Sequence, residues 1–307
     1  MNLIVALLSV SGLATAQYNP YQAPRRPSEY PSTDATLFIT GNLLADPLVQ
    51  DAWKFVQERV PAEYLDLEPS IFNPATPNAP TYPPGQMARG CLWNFGACVQ
   101  EEDSEYFFKD IIGCPQENQW GYTFDDGPTM PWSETTATPG LVQRLDQRGI
   151  KASFYVVGYH VNWDDESRAY TKTMADNGHE IALHTWSHKP LTSLTNEQII
   201  AELLYTESII YETTGVAPLQ LRPPYGDVDN RVRAIARALG FHITLWTNDS
   251  SDFMVPLPTL LQTVASWYRN SGPGMITLQH DGDLATIEKS QASIDAFPVT
   301  LPKTPIP

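Results

Sequence analysis

After Trp120 the sequence alternates short apolar runs with helical patterns that carry start and stop signals, and this alternation constrains the fold more than any other feature. The apolar runs are "WGYTF", "KASFYVVG", "HEIALH", "LQLR", "FHITLW" and "GMITLQH". Such spacing is typical of β-α units, whose strands pair in parallel. We therefore predict an α/β fold of about six strands, arranged as a complete or incomplete (β/α) barrel rather than an open doubly wound sheet.

The helices between these strands are marked by their ends. Thr138 is the predicted N-cap of the first helix, and Gly149 is its stop. Thr195 and Gln198 form a capping-box pattern for a longer helix that Gly215 closes. Further helices are predicted at 166–177, 229–239, 257–270 and 284–296, with one amphipathic helix upstream in "DPLVQDAWKFVQERV".

Composition divides the chain into four parts. Residues 1–16 hold an apolar stretch followed by small residues, which is the shape of a cleaved secretory signal peptide. Residues 17–117 form a Pro-rich extension with little core of its own, and 118–285 form the main folded domain. Residues 286–307 form a Pro-studded C-terminal tail.

The net charge of −16, with no basic run, argues against a nucleic-acid partner, because phosphate binding needs clustered Lys and Arg. The tail lacks the hydrophobic stretch of a lipid anchor, so we expect a secreted protein, extracellular or in the cell wall, without a membrane anchor. Export favours disulfides, yet the cysteines number three: Cys91, Cys98 and Cys114. One of them must stay unpaired within this chain.

Charged or imidazole side chains stand at the carboxyl ends of five predicted strands. They are, in chain order, Asp125 and Asp126, His184 and His188, Arg222, Asp249 and Asp252, and His280 and Asp281. The carboxyl ends of a parallel barrel share one rim, where active sites are built. Residues far apart in sequence therefore converge there. His160, His179 and His242 fit no such position and are interpreted as structural.

A hydrolytic metal site explains these positions together. Asp126, His184 and His188 supply one carboxylate and two imidazoles, a three-ligand set that leaves room for water and a substrate oxygen. Neighbouring residues that leave a strand point in different directions. Asp126 therefore holds the cation while Asp125 acts on water as the general base.

These residues carry a resemblance to a known family. The sequence resembles the NodB-like polysaccharide deacetylases of carbohydrate esterase family four, in particular the fungal chitin deacetylases. Its five ordered motifs are present as "TFDDGP", "HTWSH", "RPPYG", "NDSSDF" and "LQHD", between Trp120 and Asp281. The resemblance implies a distorted (β/α) barrel and one divalent metal, zinc with cobalt as an alternative. It also implies removal of N-acetyl groups from polymers of N-acetylglucosamine.

The resemblance assigns roles to individual positions. It implies that Asp125 is the base, that Arg222 orients it, and that Asp126, His184 and His188 bind the metal. It implies that the N–H of Tyr225 binds the oxyanion, that His280 is the acid set by Asp252, and that Leu278 lines the acetyl pocket. Phe253 stands where the family usually has Trp, and it keeps an apolar wall without an indole N–H.

The chain departs from the family pattern after His280, where members normally continue through a helix and a final strand. Here the helix predicted at 284–296 can form, but the Pro-studded tail after it is poor strand material. This difference and the odd number of cysteines lead us to expect that the C-terminus is truncated or mis-spliced.

The leading interpretation is a secreted, metal-dependent deacetylase of chitin or chitin oligomers that yields chitosan and acetate. A second interpretation keeps the chemistry but changes the substrate to acetylated xylan or peptidoglycan. A third is a wall protein that binds glycan without turnover, although a pure binder has no need for a base, an acid and three metal ligands together. The sequence leaves the oligomeric state open.

Overall fold

The computed structural model of the chain describes residues 19–20, 22–116, 119–130, 137–269 and 274–296. The predicted signal peptide, 1–16, lies outside the described residues. No helix in the described part of the chain is both long and apolar enough to cross a bilayer.

Seven parallel strands form one sheet, so the predicted parallel pairing is confirmed, and there is one strand more than the six expected. The strands are β1 (Trp120–Asp125), β2 (Ser153–Val156), β3 (Glu180–Leu183), β4 (Gln220–Leu221), β5 (His242–Ile243), β6 (Asn248–Asp249) and β7 (Met275–His280). Their order across the sheet is β5-β4-β3-β2-β1-β7-β6. Strand β1 is therefore an interior strand, wholly buried, with β2 and β7 as its neighbours.

Helices follow most of the strands and cover the sheet. Upstream of the sheet lie α1 (Pro47–Gln57), α2 (Ala62–Leu65), α3 (Pro84–Arg89) and α4 (Trp93–Gly96). Within and after it lie α5 (Thr138–Gln147), α6 (Gly158–Val161), α7 (Asp165–Asp176), α8 (Asn196–Thr214), α9 (Asn230–Ala238), α10 (Leu257–Arg269) and α11 (Leu284–Ala296). The helices predicted at 166–177, 229–239, 257–270 and 284–296 are confirmed to within one residue at each end.

The sheet curls into a half-barrel. Strands β5 and β6 occupy opposite edges, yet only four residues join Ile243 to Asn248. The edges of a flat seven-stranded sheet would lie about 29 Å apart, whereas this connection reaches at most about 18 Å. The sheet must therefore curve until its edges nearly meet.

This geometry corrects the prediction that "FHITLW" is one strand. The segment pairs with β4 only as far as Ile243, and then crosses the gap between the two edges. In the gap, the Ile111 N–H donates to the Ile243 carbonyl and the Leu245 N–H donates to the Ile111 carbonyl. The chain then joins β7 as β6. Ile111 therefore forms a single parallel bridge, with Thr244, beyond the end of β5.

The cap of α5 also differs from the prediction. Ala137, not Thr138, is the N-cap residue, and Thr138 is the first residue of the helix. The Thr138 hydroxyl instead donates to Asp281 Oδ2 at 2.8 Å. This hydrogen bond connects the start of α5 to the residue that follows β7. The capping box of α8 is confirmed, with Gly215 as its left-handed C-cap.

The Pro-rich extension packs on the barrel helices. The apolar side chains of α1 join the main core, and α1 packs against α8. All residues of α8 from Ile199 to Ile210 are buried, because α1 covers the side that the barrel leaves open.

The extension also reaches the loop that follows β4. A disulfide joins Cys91 to Cys98, and the enclosed Trp93 contacts Gly226 so closely that a Cβ there would lie 2.7 Å from the indole. Gly226 also has a left-handed φ of +64°, which is a second reason for glycine at this position. Cys114 is a free thiol.

Helix α11 runs through the predicted boundary at residue 285 and packs on α5 and α10. Its Ile287 and Ile294 belong to the main core. Strand β7, which precedes α11, is paired on both sides, with β1 and β6.

Candidate active site

The structure brings Asp126, His184 and His188 together at the carboxyl ends of β1 and β3. Asp126 Oδ1 lies 3.2 Å from His184 Nε2 and 3.0 Å from His188 Nε2. One ligand atom from each of the three residues lies within 4.8 Å of the other two. This spacing is suited to a single metal ion, and we call the three residues the metal triad.

The hydrogen bonds of His184 test whether a cation fits the metal triad. Its Nδ1 lies 2.7 Å from the Arg222 carbonyl oxygen, which only accepts, so this nitrogen carries the proton. In the neutral ring, Nε2 then presents a lone pair to the Asp126 carboxylate. Asp126 Oδ1 has no hydrogen-bond donor among the described residues. Two facing acceptors need a cation between them, so these residues fit a metal.

The local backbone is strained around the metal triad. Asp126, Thr185, His188 and Tyr225 have left-handed φ angles of 79°, 67°, 55° and 61°. Such conformations are unfavourable for residues with a Cβ, by about 1–3 kcal/mol each, and they cluster at functional sites. Surrounding contacts must therefore hold these loops in place.

Asp125 stands beside the metal triad and is held by an arginine. Arg222 Nη1 donates to Asp125 Oδ1 at 2.7 Å, and both side chains are buried. The other carboxylate oxygen of Asp125 lies 3.8 Å from His184 Nε2. One oxygen is thus fixed by Arg222 while the second faces the metal triad.

His280 and Asp252 form a second pair on the same rim. His280 Nδ1 lies 2.6 Å from Asp252 Oδ1, and the His280 N–H donates to Asp252 Oδ2 at 2.8 Å. Burial disfavours the imidazolium, but Asp252, with Asp126 and Asp125 nearby, outweighs burial and raises the pKa of His280 to about 10. The His280 ring is therefore protonated at neutral pH.

The residues assigned to substrate binding lie around these groups. The Tyr225 hydroxyl lies 3.1 Å from His188 Nδ1, which places Tyr225 beside the metal triad. The Phe253 ring is 56% exposed and meets the His280 ring edge-on at 5.4 Å. Leu278 is buried in β7, paired with Thr123 of β1. Asp249, in contrast, is exposed, and its side chain accepts from the Ser251 N–H as a local turn.

His160 corrects the sequence interpretation, which placed it away from the rim. It lies in α6, which begins just after β2, and its Nδ1 lies 2.6 Å from the Asp126 carbonyl oxygen. Its position soon after the run "YVVG" was the signal that could have revealed it. His179 lies at the other end of β3, where its Nδ1 accepts from the Ala152 N–H.

Asp281 holds the turn that contains the two aspartates. Its Oδ1 accepts from the Gly127 N–H at 3.1 Å, and a Cβ at Gly127 would collide with its carboxylate. Burial, together with Asp126 and Asp125, raises the pKa of Asp281 to about 7. Asp281 thus braces the loop that carries Asp126 from the neighbouring strand.

Comparisons with known proteins show which family this chain resembles. The family model for polysaccharide deacetylase matches residues 112–244. Chitin deacetylase 1 of Cryptococcus neoformans var. grubii is 33% identical over 83% of this chain, which spans 52% of that relative's length. Chitin deacetylase 1 of Saccharomyces cerevisiae is 31% identical over 75% of this chain and 70% of its own length.

A solved structure shares the fold. The peptidoglycan deacetylase PdaC from Bacillus subtilis aligns with a TM-score of 0.52 and 26% identity over 62% of this chain and 87% of that chain. The strand-end residues, the half-barrel and these similarities agree, and the chain belongs to the polysaccharide deacetylase family.

Proposed function

We propose that the protein is a secreted, metal-dependent hydrolase that removes N-acetyl groups from chitin or chitin oligomers, yielding chitosan and acetate. The observation that carries the proposal is the placement of three units on one rim: the metal triad, the Asp125–Arg222 pair and the His280–Asp252 pair. Amide hydrolysis needs an activated water, a stabilised oxyanion and a proton for the leaving nitrogen. These units supply the groups for each need.

Zinc is the proposed metal, with cobalt as an alternative. Two imidazoles and one carboxylate are a common ligand set of catalytic zinc, and the three protein ligands leave further positions free. When bound, the ion lowers the pKa of a coordinated water and polarises the amide carbonyl. Asp126, His184 and His188 would hold it.

Asp125 is the proposed general base. One oxygen of its carboxylate faces the metal triad. Arg222 donates a hydrogen bond to the other oxygen and so fixes the orientation of the group. Asp125 takes one proton from the attacking water as the water oxygen bonds to the amide carbon.

We assign binding of the oxyanion to the loop after β4, and binding of the acetyl group to β7. The Tyr225 N–H would donate to the developing oxyanion, and the left-handed φ of 61° sets the direction of this peptide. Leu278 and Phe253 would give apolar contacts, Leu278 to the acetyl methyl and Phe253 to the sugar.

His280 is the proposed acid. The Asp252 carboxylate, 2.6 Å from its Nδ1, stabilises the protonated ring. As the carbon–nitrogen bond breaks, His280 gives a proton to the nitrogen, which leaves as a neutral amine. The proton passed to Asp125 and the proton given by His280 balance the hydrolysis.

Chitin is favoured as the substrate because the two fungal relatives are chitin deacetylases. Peptidoglycan is the second candidate, because the similar Bacillus subtilis structure is a peptidoglycan deacetylase. Secretion is supported by the disulfide between Cys91 and Cys98, since disulfides persist in oxidising compartments.

The test measures acetate release by the zinc-loaded protein on chitin oligomers, peptidoglycan and acetylated xylan in parallel. We expect release from chitin oligomers and its loss in Asp125→Asn, which keeps the shape of the side chain. Preference for another polymer would overturn chitin as the substrate. Binding of chitin oligomers without any acetate would overturn the hydrolase and leave a glycan-binding wall protein.

A further inference from the structure

Glu202 lies in the middle of α8, outside the metal triad, and its carboxylate binds the loop that carries two of the three ligands. Its Oε2 accepts from the Trp186 N–H and the Ser187 N–H, each at 2.8 Å. Its Oε1 accepts from the Ser187 hydroxyl at 2.6 Å. Glu202 is only 1% exposed, so these three bonds form away from solvent.

The loop between His184 and His188 contains no helix or strand whose hydrogen bonds would fix its conformation. It follows β3 and contains left-handed residues at Thr185 and His188. Backbone of this kind persists only where its surroundings determine it. An unpaired N–H in a buried loop would in addition lower stability by about 1–3 kcal/mol.

The loop is held from two sides. On one side, the Gly158 N–H and the Tyr159 N–H of α6 donate to the carbonyls of Thr185 and Trp186. On the other side, Glu202 accepts from the N–H groups of Trp186 and Ser187. Within the described residues, Glu202 is the one carboxylate that contacts this loop through these N–H groups.

We propose that Glu202 is a positioning residue for the metal centre: by binding the backbone between His184 and His188, it presets both imidazoles for one ion. This inference rests on the metal site of the proposed function. It assigns to Glu202 no contact with metal or substrate. Outer partners that orient metal ligands typically change metal affinity by about 10–100-fold when they are removed.

The experiment measures zinc affinity directly, by titrating the metal-free full chain, so it does not depend on substrate. Glu202→Leu removes every acceptor at similar size, whereas Glu202→Gln keeps one oxygen that accepts both N–H groups. Ser187→Ala removes only the hydroxyl bond. The matched control is Glu207→Leu, because Glu207 is a second buried carboxylate of α8 that no hydrogen bond among the described residues joins to the loop.

We expect Glu202→Leu to weaken zinc binding by about 10-fold or more, Glu202→Gln to weaken it less, and Glu207→Leu to leave it unchanged. A folded Glu202→Leu with the zinc affinity of the parent chain would overturn the proposal. If Glu202→Leu does not fold, Ser187→Ala and Glu202→Gln decide: unchanged affinity in both overturns it, and weaker affinity in Ser187→Ala supports it.

The outcomes separate this inference from the proposed reaction. Tight zinc binding that Glu202→Leu weakens, in a protein that releases no acetate, would support the role of Glu202 and contradict the deacetylase function. A parent chain that binds no zinc would overturn the metal centre and the role of Glu202 together.

Discussion

Arg222 and Asp125 form a buried ion pair, with 2.7 Å between Nη1 and Oδ1. The same Nη1 also donates to the Thr123 hydroxyl at 2.6 Å, and the guanidinium lies 4.0 Å from the centre of the Tyr155 ring. Nη2 donates to the Leu245 carbonyl at 3.1 Å. The planar group is therefore fixed by several partners at once, and it fixes the carboxylate in turn.

We predict that Arg222→Lys lowers kcat for acetate release by about 100-fold, because a single ammonium cannot replace these donors and Asp125 would shift from its orientation. Steady-state kinetics on chitin oligomers measures the change. Arg231→Lys is the control, since Arg231 is also buried but donates to the Thr192 and Leu194 carbonyls. It should lower stability with little effect on kcat of the folded protein. Equal loss in both variants would contradict the prediction.

The pair between His280 and Asp252 predicts a change in the alkaline limb of the pH profile. In the proposed reaction His280 acts while protonated, so activity should fall as pH rises through its pKa. The carboxylates of Asp252, Asp126 and Asp125 all raise that pKa, which lies at about 10. Asp252→Asn removes the nearest negative charge and should shift the alkaline limb to lower pH by about 1–3 units. The profile of kcat against pH reports the shift, and an unmoved limb would refute His280 as the acid.

Chelation should abolish acetate release and lower the melting temperature. Without a cation, the lone pair of His184 Nε2 faces the Asp126 carboxylate, and two acceptors in contact are unfavourable. Zinc at 100 times its dissociation constant should stabilise the fold by about 2.7 kcal/mol. Melting curves with added zinc, before and after chelator, measure this effect. Asp126→Ala is the matched variant and should lose the zinc-dependent rise. A melting temperature that does not change when zinc is added would argue against the metal triad.

Glu207 predicts a pH dependence of folding that does not involve the active site. Burial raises the pKa of Glu207 to about 8. Between its ordinary pKa and this value, the folded chain binds a proton that the unfolded chain releases, so the free energy of unfolding falls as pH rises. The slope from this group is about 1.4 kcal/mol per pH unit.

Glu207→Gln should flatten the dependence between pH 5 and 8 and stabilise the protein at the upper end. Urea unfolding at several pH values measures both effects. The same slope in both proteins would show that another group is responsible.

The strand-end residues of the site could be predicted from sequence, because parallel strands place their carboxyl ends on one rim whatever their separation in the chain. Asp126, His184 and His188 meet for that reason. The helices could be predicted for a similar reason, since caps such as Thr195 and Gly215 act over a few residues. Short-range sequence signals therefore predict contacts between distant residues when the same β-α unit repeats along the chain.

Other features depend on contacts that no residue pattern records. His160 and Glu202 form hydrogen bonds with main-chain atoms. Every residue has the same main-chain groups, so the sequence does not show which of them will be the partner. The strand predicted over "FHITLW" ends early, at Ile243, and the Leu245 N–H beyond it donates to Ile111 instead of to β4. Thr138 carries the signal of a helix cap, yet the buried Asp281 takes its hydroxyl instead.

The small disulfide-closed loop upstream of the barrel has a practical consequence for how the protein is produced. Trp93 within it presses on Gly226, next to Tyr225, and Arg233 of α9 donates to the Cys91 and Cys98 carbonyls that bracket it. Oxidation of the two cysteines would thus hold Trp93 against the loop that follows β4. A recombinant version trimmed to the β-α repeats, or folded in a reducing cytosol, would lack this support beside Tyr225, and a weak activity in the deacetylase assay would then be mistaken for an intrinsic property of the protein.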